Sequence, residues 1–90
     1  MYSRTTTVIN KTGIHARPAS DFVKLANKFK SEIEIKNLTT NAEGNAKSIL
    51  TILTMELVKG TEIVLTAEGE DEINAVDTLI QTVDEGFNDL

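Results

Sequence analysis

Residues 5–20 read Thr5-Thr6-Thr7-Val8-Ile9-Asn10-Lys11-Thr12-Gly13-Ile14-His15-Ala16-Arg17-Pro18-Ala19-Ser20, and two periodicities meet in them. The β-branched run within residues 2–9 predicts a strand, because branched side chains suit a pleated, half-buried surface. Asn10-Lys11-Thr12-Gly13 breaks that pattern as a loop. From Pro18 the spacing becomes helical: Ala19, Phe22, Val23, Ala26 and Phe29 share one face, while Asp21, Lys24 and Lys28 lie off it. Pro18 suits a first helical turn, where a missing N–H costs nothing. This helix is expected to end near Lys30.

Downstream, Ile33 and Ile35 alternate with Glu32, Glu34 and Lys36, the pattern of a strand with one wet face. Residues 38–44 read as a hairpin connection with a short, weak return strand. Residues 48–58 are mostly apolar, a run whose periodicity fits strand or helix. Its length, its Leu and Met content and Ser48 as a cap favour a helix, with at least half of residues 49–58 in the core. Lys59-Gly60 stops it. Residues 61–67 predict a strand, with Ile63 and Leu65 on one side and Glu62, Val64 and Thr66 on the other. Gly69-Glu70-Asp71-Glu72 opens a last helix with acid near its positive end, and Ile73, Val76, Leu79, Ile80 and Val83 form its buried stripe. The order β-α-β-β-α-β-α predicts an α+β domain, one helical layer on one face of a mostly antiparallel sheet.

Composition narrows the function. Ninety residues make one domain, 1–90, and 40% apolar residues supply a core. Nine basic against fourteen acidic residues, net −5, argue against nucleic-acid binding, which needs a basic face. Without cysteine there is no disulfide, thiolate catalysis or cysteine–zinc site, and one histidine removes any multi-histidine metal site. No apolar run approaches the roughly 20 residues that span a bilayer. The opening residues lack the apolar region of a signal peptide, so a cytoplasmic, soluble protein without membrane insertion is expected.

Chemistry concentrates at Gly13–Ser20. His15 lies just ahead of a helix start, where unpaired N–H groups and the helix dipole favour anions. Arg17 adds a permanent charge with a fork suited to phosphate. Gly13 permits unusual dihedrals and close backbone approach. A neutral imidazole is a competent nucleophile near pH 7, and a phosphoryl group on it would find stabilising charge without a metal. Residue types alone leave a second reading open: His15 as a surface residue or cap, and Arg17-Pro18 as a solvated start of a helix. No neighbouring Asp, Glu or second His forms a triad.

The segment Gly13-Ile14-His15-Ala16-Arg17-Pro18-Ala19 resembles the active-site signature of HPr, the histidine-containing phosphocarrier family of the bacterial sugar phosphotransferase system, in every element. Phe22-Val23-Lys24, Ser31-Glu32-Ile33, Ala46-Lys47-Ser48-Ile49, Lys59-Gly60-Thr61 and Ala67–Glu72 also resemble it, in order, across nearly the whole chain. The resemblance implies an open-faced β-sandwich, a four-stranded antiparallel sheet covered on one face by three helices. It implies phosphorylation of His15 through Nδ1, by enzyme I charged from phosphoenolpyruvate. Enzyme IIA domains would be the acceptors. Arg17 would steady the phosphoryl group, and the backbone around Ala16, Arg17 and Pro18 would complete the site. The protein would be a covalent relay, without cofactor or metal, and not a self-sufficient enzyme.

Ser48 matches the regulatory serine of the Gram-positive branch, modified by HPr kinase/phosphorylase, with binding to the catabolite control protein as a consequence. It reads equally as an N-cap. Leu50 and Leu53 match an apolar contact patch of the family and Lys24 a basic one; the bland alternatives are core packing and a solvated helix face. Docking would be transient, by a monomer. Thr51 and Glu56 stand where many members have glycine, Glu56 at the end of the second helix where the dipole disfavours acid. The 38–44 region is about two residues longer than usual. Two other functions compete: a regulatory paralogue in nitrogen or catabolite signalling, and a non-catalytic α+β binding domain with His15 incidental. Paralogues that have left relay work commonly lose the histidine, which weighs against the first.

Overall fold

The computed structural model describes residues 1–89. Along the chain stand β1 (Tyr2–Thr7), α1 (Ala16–Ala26), β2 (Glu32–Asn37), β3 (Glu43–Asn45), α2 (Ile49–Thr54), β4 (Glu62–Glu68) and α3 (Glu72–Asp84), followed by a 3₁₀ turn, Gly86–Asn88. The strands form one sheet in the order β1-β4-β2-β3. Every pairing is antiparallel. β4 is flanked on both sides, by β1 in the register Thr5↔Val64 and by β2 in the register Ile35↔Leu65.

Alternation decides which face is dry. Ile33 and Ile35 of β2 and Ile63, Leu65 and Ala67 of β4 point together into the core. The helices cover that face with Ala19, Phe22 and Ala26 of α1, Ile52 of α2 and Val76, Leu79, Ile80 and Val83 of α3. Phe22 is wholly buried, so truncating it to alanine costs about 3–5 kcal/mol. The opposite face is wet: Glu32 and Glu34 are exposed, and Ser3 and Thr66 share a hydroxyl hydrogen bond of 2.7 Å. The open-faced sandwich expected from the sequence is the fold. No helix among the described residues is long and apolar enough to cross a membrane.

The structure corrects several boundaries. The first helix begins at Ala16, two residues before Pro18, and ends at Ala26 rather than near Lys30. Beyond it the chain tightens, Lys28 N–H bonding the Leu25 carbonyl at 3.1 Å. The Lys30 and Ser31 amides turn to the Asp71 carboxylate, at 2.8 and 2.9 Å, instead of to helix carbonyls. Val23 and Phe29 are therefore only partly buried against the core.

The second helix stops at Thr54, short of Val58. Buried Asn37 donates to the Met55 carbonyl at 2.9 Å, and Leu57 gives its carbonyl to the Ile14 amide at 2.8 Å. Within 49–58 the buried residues are Ile52, Met55 and Leu57, fewer than the expected half. Ile73, placed in the buried stripe of α3, is 58% exposed. Glu56 lies just past the C-cap of α2 with φ 56°. That left-handed backbone is one that glycine adopts without strain. Thr51 faces Gly44 of β3 so closely that a Cβ there would lie 2.7 Å from its Cγ2.

Asp71 ties the two halves of the helical layer to the sheet. It stands at the N-terminus of α3, yet its side chain makes no capping bond there. The carboxylate accepts instead from the Ser31 hydroxyl and from the Ser31 and Lys30 amides. Those donors, the Ser31 hydroxyl first and the Lys30 amide next, pull its pKa from 3.8 to about 2. A depressed carboxylate pKa stabilises the fold above the unfolded value, and that contribution is lost as pH falls through the folded one. Asp71→Asn should lower the denaturation midpoint at neutral pH. Its deficit against the parent should shrink as pH falls from about 4 through about 2, the window that the shift from 3.8 to about 2 defines. A pH-independent deficit would count against the ionised carboxylate as its cause.

Candidate functional site

The loop between β1 and α1 is pinned before it reaches His15. Val8 is buried, and its amide bonds the Thr61 carbonyl at 2.9 Å while its carbonyl accepts from Gly60 at 2.7 Å. Asn10, also buried, donates through Nδ2 to the Gly13 carbonyl at 2.7 Å. Gly13 then passes the Leu57 carbonyl so closely that a Cβ would lie 2.3 Å from its oxygen, and its φ is +71°. Glycine meets both demands. Ile14 is wholly buried and anchors the next step.

His15 is the N-cap residue of α1, extended at φ −134° and ψ 164°, and its side chain makes no capping bond. The imidazole is half-buried rather than sunk in the core. Ala16 follows with φ 52°, a left-handed conformation that costs an alanine roughly 1–2 kcal/mol. The backbone therefore turns sharply between His15 and the helix. The first-turn amides of Ala16 and Arg17 have no carbonyl a turn earlier to bond. Pro18 is buried at the third helical position and gives up no bond there.

Arg17 is 54% exposed, and both terminal nitrogens of its fork are engaged. Nη1 donates to the Asp21 carboxylate one turn along. Nη2 donates to the Asp89 carboxylate and, at 3.1 Å, to the Phe87 carbonyl. The Asp89 hydrogen bond, more than any other contact, raises the guanidinium pKa still further. The sequence reading missed this cluster: Asp21 carries the familiar i,i+4 spacing, but Asp89 lies 72 residues away, with no local signal.

The remaining expected residues fall into two groups. Ser48 is the N-cap of α2, and its Oγ accepts from the Thr51 amide at 3.3 Å. Leu50 and Leu53 are 70% and 44% exposed, so core packing does not explain them. Ile49 and Val58 are exposed as well, at 44% and 53%, and the Ile14–Leu57 bond sets Val58 against the His15 loop. Lys24 is exposed in the last turn of α1, nine residues along the helix from His15 and about 14 Å away by helical rise. The structure thus brings His15, Ala16, Arg17 and Pro18 together and leaves Lys24 at the far end of the helix.

Comparison with known proteins points one way. The family model described as "PTS HPr component phosphorylation site" matches residues 2–85. Phosphocarrier protein HPr of Haemophilus influenzae is 40% identical over 83 residues, 92% of this chain and 95% of that protein. The crystal structure of HPr-C-His from Thermoanaerobacter tengcongensis superposes with a TM-score of 0.95 at 39% identity, covering 100% of this chain and 99% of that one. The crystal structure of Crh, the catabolite repression protein of Bacillus subtilis, described as a swapped dimer, gives a TM-score of 0.73 at 38% identity, covering 96% and 97%.

Two substitutions test the local supports. Gly13→Ala should destabilise the protein by at least about 1–3 kcal/mol, since it strains φ and drives a methyl into the Leu57 carbonyl. Ser48→Ala should cost about 1 kcal/mol through the lost cap. Chemical denaturation reads both; a Gly13→Ala midpoint equal to the parent's would show that the loop is free to move off Leu57.

Proposed function

Because the chain belongs to the HPr family of phosphocarrier proteins, we propose that it takes a phosphoryl group from phosphorylated enzyme I on His15 and passes it to enzyme IIA domains for sugar uptake. The observation that carries this reading is the placing of His15: half-buried, its side chain without a capping bond, at the start of α1 beside Arg17. An imidazole held by a cap would have surrendered its lone pair.

The chemistry follows from that placing. A ring nitrogen, Nδ1 by family resemblance, uses its lone pair to bond phosphorus. The donor's bond to phosphorus breaks, and that electron pair stays with the donor. Roughly two negative charges arrive with the phosphoryl group. The α1 dipole, the first-turn amides at Ala16 and Arg17, and the Arg17 guanidinium meet them. A relay needs these contacts weak enough to release the group, and the second transfer runs by the same steps in reverse sense. The protein is a carrier whose partners complete transition-state stabilisation, not a catalyst by itself.

Docking uses the exposed apolar residues Ile49, Leu50, Leu53 and Val58, with Lys24 as an outlying basic contact. The area is small and the complex short-lived, as a relay requires. In this reading the protein works as a monomer in the cytoplasm. Phosphorylation of Ser48 by an HPr kinase/phosphorylase would place charge among Ile49, Leu50 and Leu53, slowing docking to enzyme I and favouring the catabolite control protein. The likeness to Crh supports a second reading, a mainly regulatory role through that serine.

Incubation with phosphoenolpyruvate and a bacterial enzyme I should add one phosphoryl per chain, acid-labile and base-stable. His15→Ala should take none while its stability stays within about 0.5 kcal/mol of the parent. Label on that variant would overturn the site. Arg17→Ala should slow transfer on the order of ten- to a hundredfold, the worth of a charge-assisted bond. Ser48→Asp should slow uptake from enzyme I; an unchanged rate would remove the Leu50–Leu53 face from docking.

A further inference from the structure

Just ahead of His15, the peptide unit between Gly13 and Ile14 is held at both of its polar ends. We propose that Asn10 is a positioning residue of phosphoryl transfer: its buried side-chain amide fixes that unit and so sets the direction from which the His15 ring meets phosphorus. The proposal rests on the reading that His15 carries the phosphoryl group.

The hydrogen bonds around Gly13 single out Asn10. Its Nδ2 donates to the Gly13 carbonyl at 2.7 Å. Its own backbone carbonyl accepts from the Gly13 amide at 3.1 Å, so one residue grips both polar groups of Gly13. At the other end of the Gly13–Ile14 unit, the Ile14 amide donates to the Leu57 carbonyl at 2.8 Å. A peptide unit is planar, so holding its oxygen and its N–H fixes the whole plane. Ile14 is wholly buried, and His15 follows in an extended conformation. No capping bond orients the imidazole. The ring therefore takes its direction from the backbone that Asn10 holds.

Packing alone does not account for an asparagine at this place. Asn10 is wholly buried, yet among the described residues its Oδ1 accepts from no protein donor. A buried acceptor without a partner destabilises a fold, and an apolar side chain of the same size avoids that penalty. Departures of this kind gather where a fold serves chemistry rather than stability. The Thr12 hydroxyl is a minor partner, 3.5 Å from Nδ2 and on an exposed residue. The bond that matters is the one to Gly13. Transfer is sensitive to such placing, since a shift of about 1 Å in a reacting group costs on the order of a hundredfold in rate.

The test is single-turnover transfer from phosphorylated enzyme I to the full chain, at rising chain concentration, quenched in base and read by mass spectrometry. Asn10→Leu keeps the volume and removes both the donor and the unpartnered oxygen, so it is expected to fold. Its maximal rate constant should fall about ten- to a hundredfold. Its half-saturating concentration should stay within about twofold of the parent's, because Leu50 and Leu53 are untouched. Hydrogen exchange at the Ile14 amide should lose protection. Thr12→Ala should transfer like the parent, and Asn10→Ala should show the same split as Asn10→Leu. A folded Asn10→Leu protein with the parent's maximal rate, or with its loss wholly in the half-saturating concentration, would overturn the proposal. So would slowed transfer with Ile14 protection intact, or a Thr12→Ala loss as large as that of Asn10→Leu. Failure of both Asn10 variants to fold would make Asn10 a structural residue and overturn it too. A parent that takes no phosphoryl, or a His15→Ala variant that does, would instead overturn the underlying reading and this proposal with it.

Discussion

At Gly13 the backbone approaches the Leu57 carbonyl to a distance that no side chain would allow, and the His15 end of the molecule is organised around that approach. The next amide, Ile14, bonds the same carbonyl. One oxygen therefore fixes where the β1–α1 loop crosses the segment leaving α2. Val58 and the loop that carries His15 lie side by side as a result. β4 sits between β1 and β2 and brings these two connections to the same end of the sheet. Packing of the helices then holds the approach: Phe22, Ile52 and Leu57 are all buried.

Charge at the site is poised rather than accumulated. His15 stands at a helix start, two residues ahead of Arg17, whose guanidinium is shared among Asp21, Asp89 and the Phe87 carbonyl. A chain carrying a net charge of −5 that must handle a phosphoryl group needs local positive charge. The ion pairs of that guanidinium lie at the surface, without burying an ion, which would cost more than it returns. The left-handed Ala16 belongs to the same economy of means, since it turns the chain so that His15 lies outside the helix it caps.

Far from His15, the Asp71 carboxylate does for α3 and β2 what Leu57 does for the loop. It gathers donors from Lys30 and Ser31 and ends α1 earlier than its apolar spacing suggests. Phe29 keeps the helical period in sequence but sits in a turn, its amide on the Ala26 carbonyl three residues back, and Asp71 takes the next two amides. Asn37 acts likewise on α2, through the Met55 carbonyl. In each case a polar residue distant in sequence overrides a local preference, the usual outcome when tertiary bonds compete with weak propensities.

Much of the fold was legible in the residues. Strict alternation in 32–36 and 61–67 settled the dry face of the sheet, because strand side chains point to opposite sides by geometry. Spacing at Ala19, Phe22 and Ala26 marked α1, and Ser48 announced its own cap, because both are local effects. The stretch from Gly13 to Ala19 carried the candidate site, since a helix start, an imidazole and a guanidinium fall within a few residues whatever the rest of the chain does. Tertiary structure alone decided the rest. Leu50 and Leu53 look no different in sequence from Ile52, yet they face outward, because only the position of α2 on the sheet selects its buried side. Ile73 fits the stripe of α3 and remains exposed for the same reason. The meeting of Arg17 with Asp89 was invisible because 72 residues separate them, and only the closure of the fold, with Phe87 as its plug, brings their charges within reach.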